Sequence, residues 1–198
     1  DIIGGRAGLG SKDVLPEDIL PVFEELQKDH PMHGFTIGIV DDVTNLSLPR
    51  ADKMPLDTTG LTACKFWGFG SDGTVGANKS AIKIIGDHTD LYAQAYFAYD
   101  SKKSGGVTVS HLRFGTKPVD MPYLIDAADY IACHRQSYVK RFDLLRGIKD
   151  GGTFMLNCTW SDEELDHQLP ARIKRAIAKH HVKFYTLNGD AIGQKLGL

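Results

Sequence analysis

Residues 62–76 have the sequence TACKFWGFGSDGTVG, in which an apolar, aromatic run leads into a loop rich in glycine. The run TACKFW predicts a β-strand, and residues 75–85 have the apolar spacing of an α-helix. Between them, Gly68, Gly70 and Gly73 form a G-x-G-x-x-G pattern, with a fourth glycine at Gly76. In a strand-loop-helix context this pattern predicts phosphate binding, because the first N–H groups of the helix are free to bind an anion.

Strands and helices alternate on both sides of this unit. Further strands are predicted at residues 34–40, 91–99, 107–114, 130–133, 153–157 and 182–187. Helices are predicted from Pro16 through residue 26, at 139–148, at 163–181 with an interruption at Pro170, and as a terminal turn from Asp190. Because such alternation is typical of βαβ units, the fold class is α/β: an open, mostly parallel, doubly wound (Rossmann-like) sheet with helices on both faces.

The composition is that of an ordinary globular protein. The chain has 198 residues, of which 42% are hydrophobic and 24% charged, and its formal net charge is −2. This near-neutral balance argues against nucleic acid or an anionic membrane as a partner. The first residues lack the basic-then-apolar pattern of a signal peptide, so a cytoplasmic location is expected.

The three cysteines are Cys64, Cys133 and Cys158, each within an apolar stretch. They form no C-x-x-C pair and have no closely spaced histidines, which argues against a zinc or iron–sulfur site in this chain. We expect all three to be small core residues in a reducing compartment.

The residues alone leave the phosphate compound open. Asp100 closes the second strand, where a nicotinamide-binding protein would use an acid to bind ribose hydroxyls. Lys102 and Lys103 follow at once, and two lysines in a glycine-containing loop favour additional phosphate, although they are equally typical of a solvated loop.

Other polar residues lie at predicted strand ends. Asn157 and Asn188 each follow a strand, where ligands of open α/β sheets bind, but asparagine is also a favoured turn residue. His111 and Arg113 share one face of a strand, and His134-Arg135 close another. No nucleophile or base pairs with these four at the sequence level, so no catalytic residue is assigned.

Four blocks together resemble the pyruvate:ferredoxin (or flavodoxin) oxidoreductase family, also called pyruvate synthase. They are TIGIVDDVT at 36–44, CKFWGFGSDGTVGANK at 64–79, YDSKKSGG at 99–106 and SHLRFG at 110–115. The resemblance covers nearly the whole chain and is to one domain of that enzyme, domain III, equivalent to the separate gamma subunit of its multi-subunit relatives. It implies residues 1–16 as an interdomain linker and residues 17–198 as the gamma-like, coenzyme A-binding α/β domain.

The resemblance also implies a division of labour. In the family, pyruvate is decarboxylated on thiamine diphosphate, electrons pass through iron–sulfur clusters to ferredoxin or flavodoxin, and coenzyme A takes the acetyl group. This chain has no Gly-Asp-Gly…Asn stretch for the thiamine magnesium site and no cysteine cluster. Thiamine diphosphate, Mg²⁺ and 4Fe–4S clusters are therefore expected in other domains of a homodimeric parent enzyme, either in the cytoplasm or in an anaerobic organelle.

By the same resemblance, this domain binds coenzyme A and is inactive alone. The glycine loop would hold phosphate, Lys102 would neutralise it, with Lys103 as the alternative, and two asparagines would contribute hydrogen bonds. The implied binding residues are Gly70, Ser71, Asp72, Gly73, Thr74, Lys102, Asn157 and Asn188. Two other hypotheses stay open: a free-standing NAD(P)-dependent oxidoreductase, and a docking domain without a ligand.

Overall fold

A computed structural model of the chain describes residues 2–41, 43–52, 54, 56–100 and 105–197. The chain divides into two compact units, Asp1–Thr58 and Thr59–Leu198. The sequence-based interpretation of residues 1–16 as an interdomain linker stays a prediction. Within the described residues, no helix is both long and apolar enough to cross a membrane.

The first unit is small and has its own core. Strand β1 (Gly5–Arg6) pairs in parallel with β2 (Phe35–Thr36), and a 3-10 turn (Leu9–Ser11) precedes helix α1 (Pro16–Leu26). The helix begins at proline, as predicted, and two acids occupy its first turn, where they favour the helix dipole. The core consists of Phe35, Ile37 and Leu48.

The strand predicted at residues 34–40 is wrong beyond its first part, because β2 contains only Phe35 and Thr36. Gly38 has φ of +79°, a left-handed conformation that an extended strand does not contain. Only the first part of the β-branched run is buried: Ile37 packs in the small core beyond the end of β2, whereas Val40 is exposed.

The second unit contains one six-stranded sheet with the order β4-β5-β3-β6-β7-β8. Neighbouring strands are parallel except around β5, which is antiparallel to both β3 and β4. The mostly parallel sheet is thus confirmed. Its strands are β3 (Leu61–Phe69), β4 (Tyr92–Tyr99), β5 (Val107–Gly115), β6 (Ala128–Cys133), β7 (Ile148–Asn157) and β8 (Lys183–Leu187).

Strand β5 is antiparallel because residues 100–106 are too short a connection for a parallel crossover, which needs a dozen or more residues. The hairpin inserts β5 between β4 and β3, so β3, the helix after it and β4 form a βαβ unit that is split by one strand. This arrangement brings the start of β5 next to the loop that follows β3.

Five helices accompany the sheet within the described part of this unit. They are α2 (Thr74–His88), α3 (Tyr138–Arg141), α4 (Asp162–Gln168), α5 (Ala171–Lys179) and α6 (Gly189–Lys195). The interruption predicted at Pro170 is confirmed, since the chain is extended at Leu169 and Pro170 between α4 and α5. The terminal turn predicted from Asp190 is confirmed as helix α6.

The helix predicted at 139–148 is wrong after residue 141. Phe142 has an extended backbone, and the segment after it forms turns before β7 begins at Ile148, five residues earlier than predicted. Leu144 and Leu145 are nevertheless buried, so their apolar spacing reflects core packing in turns and not a helical face.

The main core lies on one face of the sheet, and α2 packs on the other. Strand residues such as Ile131, Phe154 and Leu156 pack with residues of α3, α4 and α5, including Val139 and Ile173. On the opposite face, α2 contacts β3, β4 and β5. Helices on both faces are thus confirmed, and α2 is the element that starts at the glycine loop.

The prediction that all three cysteines are buried is confirmed, and all three are free thiols. Burial raises the pKa of Cys64 and of Cys133 to about 12, and it also raises the pKa of Cys158. These thiols are therefore protonated at neutral pH and behave as small apolar side chains.

Candidate functional site

A pocket of about 350 Å³ lies where β3 and β4 end, β5 begins and α2 starts. This is the carboxyl edge of the parallel strands, where open α/β sheets bind their ligands. The lining residues are Phe69, Gly70, Ser71, Asp72, Gly73, Val75, Gly76, Tyr99, Asp100, Gly106, Val107 and Thr108. Four of the residues predicted to form the phosphate loop, Gly70 to Gly73, therefore line one pocket.

The glycine loop is held in a tight conformation. Gly70 N–H donates to the carbonyl of Gly106 at 2.8 Å, which ties the loop to the start of β5. Ser71 and Gly73 have φ of +77° and +84°, both in the left-handed region. A serine there is energetically unfavourable, and such strain is typical of backbone shaped for a ligand.

Asp72 shapes this loop through both of its carboxylate oxygens. Oδ2 accepts from the N–H of Phe69 at 2.7 Å, and Oδ1 accepts from the N–H of Thr74 at 2.9 Å. One carboxylate thus joins the end of β3 to the first residue of α2. The acid that the sequence places in a phosphate loop acts here as a clamp for the backbone.

The next two N–H groups of α2, those of Val75 and Gly76, have no acceptor within the part of the chain that the structure describes. Both residues line the pocket. Free N–H groups at a helix start carry a partial positive charge and bind anions. This end of the pocket is therefore suited to phosphate oxygens.

Thr74 belongs to the loop by sequence, but its side chain is buried beneath it. Its hydroxyl oxygen lies 2.8 Å from Nδ1 of His134, and both groups lie under the helix start. A Cβ on Gly68 would come within 2.4 Å of that oxygen, so glycine is required there by close packing. Burial lowers the pKa of His134, which favours the neutral ring.

The two predicted asparagines lie away from the pocket. Asn157 ends β7, donates from Nδ2 to the carbonyl of His134 at 3.3 Å and accepts at Oδ1 from the N–H of Gly189 at 2.8 Å. Asn188 caps α6 by accepting from the N–H of Ala191 at 3.0 Å. The structure does not bring them together with the glycine loop, and their ligand role stays a prediction.

Lys102 and its alternative Lys103 lie outside the described residues. Asp100 lines the pocket, and its N–H donates to the carbonyl of Val107 at 3.1 Å. Asp100, the acid that the nicotinamide-binding hypothesis requires for the ribose hydroxyls, thus lies at the carboxyl edge of the sheet.

Among the pocket residues that the sequence did not assign to the site are Tyr99 and Thr108, whose side chains are polar. The Tyr99 side chain is exposed, whereas Thr108 is 6% exposed. The sequence contained only a weak signal for Thr108. Threonine is a common strand residue, and Thr108 is distinguished only by its position two residues after Gly106. Arg135, which the sequence analysis placed at a strand end without a role, lies near the site, because its guanidinium carbon is 4.6 Å from the ring centre of Phe69.

His111 and Arg113, together with Lys65 of β3, form a buried cluster of basic residues on the face of the sheet opposite to α2. His111 Nδ1 accepts from the N–H of Ile125 at 3.1 Å, and Lys65 Nζ donates to the carbonyl of Arg146 at 2.7 Å. Burial, followed by the charges of Lys65 and Arg113, lowers the pKa of His111 to about 4.

Arg113 donates to the carbonyl of Met121 at 3.3 Å and lies 4.9 Å from the ring centre of Tyr123. The buried cluster of basic residues (Lys65, His111 and Arg113) therefore anchors the segments around residues 121–125 and 146 to the sheet. Each of its members hydrogen-bonds the protein backbone, which is a structural role.

Metal binding is not supported by the side chains that the structure describes. Among them, no three His, Cys, Asp or Glu side chains converge in a way that could hold an ion. The cysteines occupy separate elements, β3, β6 and the residue after β7, and their thiols are protonated. This part of the chain does not fit an iron–sulfur cluster.

Comparison with known proteins identifies relatives over the whole chain. It is 65% identical over 198 residues to a pyruvate-flavodoxin oxidoreductase of Klebsiella pneumoniae and 57% identical over 197 residues to a pyruvate:ferredoxin oxidoreductase of Moorella thermoacetica. In both cases the match covers 100% of this chain and 17% of the relative. The chain thus spans about a sixth of the length of these relatives.

A solved structure has the same fold. The pyruvate oxidoreductase subunit PORC of Thermotoga maritima matches with a TM-score of 0.53 and 13% sequence identity, over 69% of this chain and 66% of that one. The family model for pyruvate ferredoxin/flavodoxin oxidoreductase matches residues 63–198, which include the whole glycine loop and the six-stranded sheet except for its first residues. The chain therefore belongs to the pyruvate ferredoxin/flavodoxin oxidoreductase family.

Proposed function

We propose that this chain is the coenzyme A-binding domain of a pyruvate:ferredoxin or pyruvate:flavodoxin oxidoreductase and is inactive alone. The parent enzyme would convert pyruvate and coenzyme A to acetyl-coenzyme A and carbon dioxide and pass electrons to ferredoxin or flavodoxin. Its partners would be the other domains of the same polypeptide and a second copy of the parent enzyme, in the cytoplasm or an anaerobic organelle.

The observation that supports this proposal most directly is the pocket at the start of α2. Val75 and Gly76 have N–H groups that lack an acceptor among the described residues, and Asp72 joins the two ends of the loop that leads to them. Charge-assisted hydrogen bonds of this kind contribute about 1.5–3 kcal/mol each. A diphosphate group is the part of coenzyme A that this pocket fits.

The volume of the pocket supports binding of only part of the ligand. At about 350 Å³ it is at the lower end of the range of small-molecule sites, so it would hold the nucleotide end of coenzyme A and leave the long thiol arm outside. A thiol that is tethered by its distant nucleotide reaches another domain at high effective concentration.

The division of chemistry follows from what these residues lack. Among the described residues that line the pocket, no nucleophile is paired with a base, and the Thr74 hydroxyl that contacts His134 is buried beneath the loop. The thiols of this chain are buried and protonated. Thiamine diphosphate, bound elsewhere in the parent enzyme, would supply carbanion stabilisation for decarboxylation. This chain would bind coenzyme A, orient it and deliver its thiol.

The test is amide-shift NMR of the 198-residue chain titrated with coenzyme A, dephospho-coenzyme A and NADH. We expect shifts at Gly70, Gly73, Val75 and Gly76 with coenzyme A, and weaker shifts with dephospho-coenzyme A if a lysine of the 100–106 segment binds the 3′-phosphate. Shifts at these residues with NADH alone would contradict the proposal.

A nicotinamide-dependent oxidoreductase is the second candidate, because Asp100 lines the pocket at the position that binds ribose hydroxyls in such proteins. The NADH titration tests it directly. If all three ligands leave the loop unshifted at millimolar concentration, either the site needs the other domains of the parent enzyme or the chain is a docking domain, and the same titration of the full-length enzyme decides between them.

A further inference from the structure

Thr108 presents a buried polar atom whose hydrogen-bonding capacity is unused. Its side chain is 6% exposed, and its Oγ1 has no hydrogen-bond partner within the described part of the chain. A buried hydroxyl without a partner destabilises a fold, so such groups are rare unless something outside the chain completes them.

The position of Thr108 indicates which kind of ligand could hydrogen-bond its hydroxyl. On β5 it pairs with Gly68 of β3 and with Tyr99 of β4, and it lines the pocket in front of the glycine loop. Because Gly68 lies against Thr74, the face of the sheet that Thr108 shares is the face beneath the start of α2. Thr108 therefore lines the same pocket as Val75 and Gly76, and its hydroxyl is buried at the base of that pocket, on the face from which α2 starts.

We infer that Thr108 is a ligand-binding residue whose hydroxyl donates a hydrogen bond to a phosphate oxygen of the compound held by the glycine loop. This inference rests on the proposed function, since it deepens the description of the same pocket. The helix start supplies backbone donors from one side, and Thr108 supplies one side-chain donor from the sheet. A diphosphate group has enough oxygens to accept from both.

Ser110 provides a comparison that distinguishes ligand binding from the effect of burial alone. It is two residues further along β5, so it points to the same face of the sheet, and it is fully buried. Its Oγ also lacks a partner within the described residues, but it does not line the pocket. Thr108 and Ser110 thus share strand, face and burial and differ in access to the ligand.

The experiment uses the full polypeptide that contains this chain and compares Thr108→Val, which keeps the shape and removes the hydroxyl, with Ser110→Ala. Isothermal titration measures the Kd for coenzyme A and, separately, for inorganic pyrophosphate. We expect Thr108→Val to weaken binding of both ligands by roughly 10- to 100-fold, as the loss of a hydrogen bond to a charged group requires. Ser110→Ala should stay within about twofold of the wild type, and Thr108→Ser should restore most of the affinity.

Thermal unfolding without ligand provides the control for folding. Thr108→Val removes an unpaired buried hydroxyl, so its Tm should equal or exceed that of the wild type. A lower Tm together with equal weakening by Ser110→Ala would mean that both hydroxyls act on the fold, and it would overturn the inference.

The two ligands distinguish failure of this inference from failure of the proposed function. If the wild type binds coenzyme A and Thr108→Val binds it equally well, the inference fails and the function stands. If pyrophosphate binds in a way that depends on Thr108 but coenzyme A does not bind, the inference stands and the function fails. If neither ligand binds the wild type, both are overturned.

Discussion

Polar residues alternate between the two faces of strand β5, and the two faces differ in whether these buried residues have hydrogen-bond partners. On one face, His111 and Arg113 are buried, and each makes a hydrogen bond to the backbone of the segment around residues 121–125. On the other face, Thr108 and Ser110 are equally buried, but their hydroxyls have no partner among the described residues.

This difference teaches how to separate scaffold from site on a single strand. A buried polar group whose hydrogen bonds are made within the protein stabilises the fold. His111 and Arg113 are examples, although histidine and arginine are common in catalytic sites. A buried polar group without a partner that also lines a pocket is a candidate for contact with a ligand. The predictions that follow test the scaffold first and then the loop above Thr108.

The largest effect is expected from protonation of His111. Its folded-state pKa is about 4 against an ordinary value of 6.5, so between these values the unfolded chain binds a proton that the folded chain does not. The contribution of His111 to the free energy of unfolding should be fully present above pH 6.5. The free energy of unfolding should fall by about 3 kcal/mol in total as the pH decreases toward 4. Urea unfolding of the chain at several pH values measures it.

His111→Asn provides the matched control for this pH dependence. The amide oxygen replaces Nδ1 as the acceptor for the N–H of Ile125 and does not titrate. The variant should lose most of the slope between pH 6.5 and 4 and keep the smaller part that comes from His134, whose pKa is also lowered by burial. An unchanged slope would show that His111 is not held neutral by the fold.

A smaller effect is expected from Gly68→Ala, which disturbs the other face. The added Cβ would lie 2.4 Å from Oγ1 and 2.5 Å from Cβ of Thr74, so the start of α2 must move. We expect a loss of about 2 kcal/mol in unfolding free energy, as in other overpacked sites, together with loss of coenzyme A binding measured by titration.

Gly86→Ala is the control for that substitution, because nothing lies within 4 Å of a Cβ at this position of α2. Alanine there should stabilise the helix by about 0.5–1 kcal/mol and leave ligand binding unchanged. Retained coenzyme A affinity in Gly68→Ala would show that the pocket does not depend on the position of the helix start.

The smallest effect is expected from Asp72→Ala, which removes the clamp on the loop. The N–H groups of Phe69 and Thr74 would lose their acceptors, and the unfolding free energy should fall by about 1 kcal/mol. Coenzyme A should bind more weakly even though a negative charge has been removed from beside its phosphates, because the loop is no longer held in place.

Asp87→Ala is the matched control, since it removes the same charge from an exposed position near the end of α2. Its stability and its ligand affinity should change little, with stability within about 0.5 kcal/mol. Tighter binding of coenzyme A by Asp72→Ala would indicate that the carboxylate repels the ligand and does not shape the loop.

Much of the fold could be predicted because it depends on local patterns. The run before Gly68 and the apolar spacing after Gly73 predict β3 and α2, and Pro170 predicts the break between α4 and α5. Patterns failed where apolar residues are buried in turns, as at Leu144 and Leu145, because periodicity reports burial and not the backbone conformation that achieves it.

The site was predictable only in part. The glycine loop follows from spacing, since glycine at Gly73 permits the left-handed turn that opens the helix. Asn157 and Asn188 lie at the ends of β7 and β8, as predicted, but only the structure shows that they accept from the N–H groups of Gly189 and Ala191. Thr108 could not be found, because pairing with β3 depends on a hairpin that no local signal specifies.

The amino-acid sequence was sufficient for predicting the α/β class, the glycine loop at the start of α2, the buried cysteines and, through long matching blocks, the family. All of these depend on local spacing or on extended similarity. Only the tertiary structure decided which polar groups remain unpaired, that Asp72 clamps the loop, and that β5 brings Thr108 to the pocket. The physical reason is that hydrogen-bond partners and strand order are set by contacts between residues far apart in the chain, which no local pattern contains.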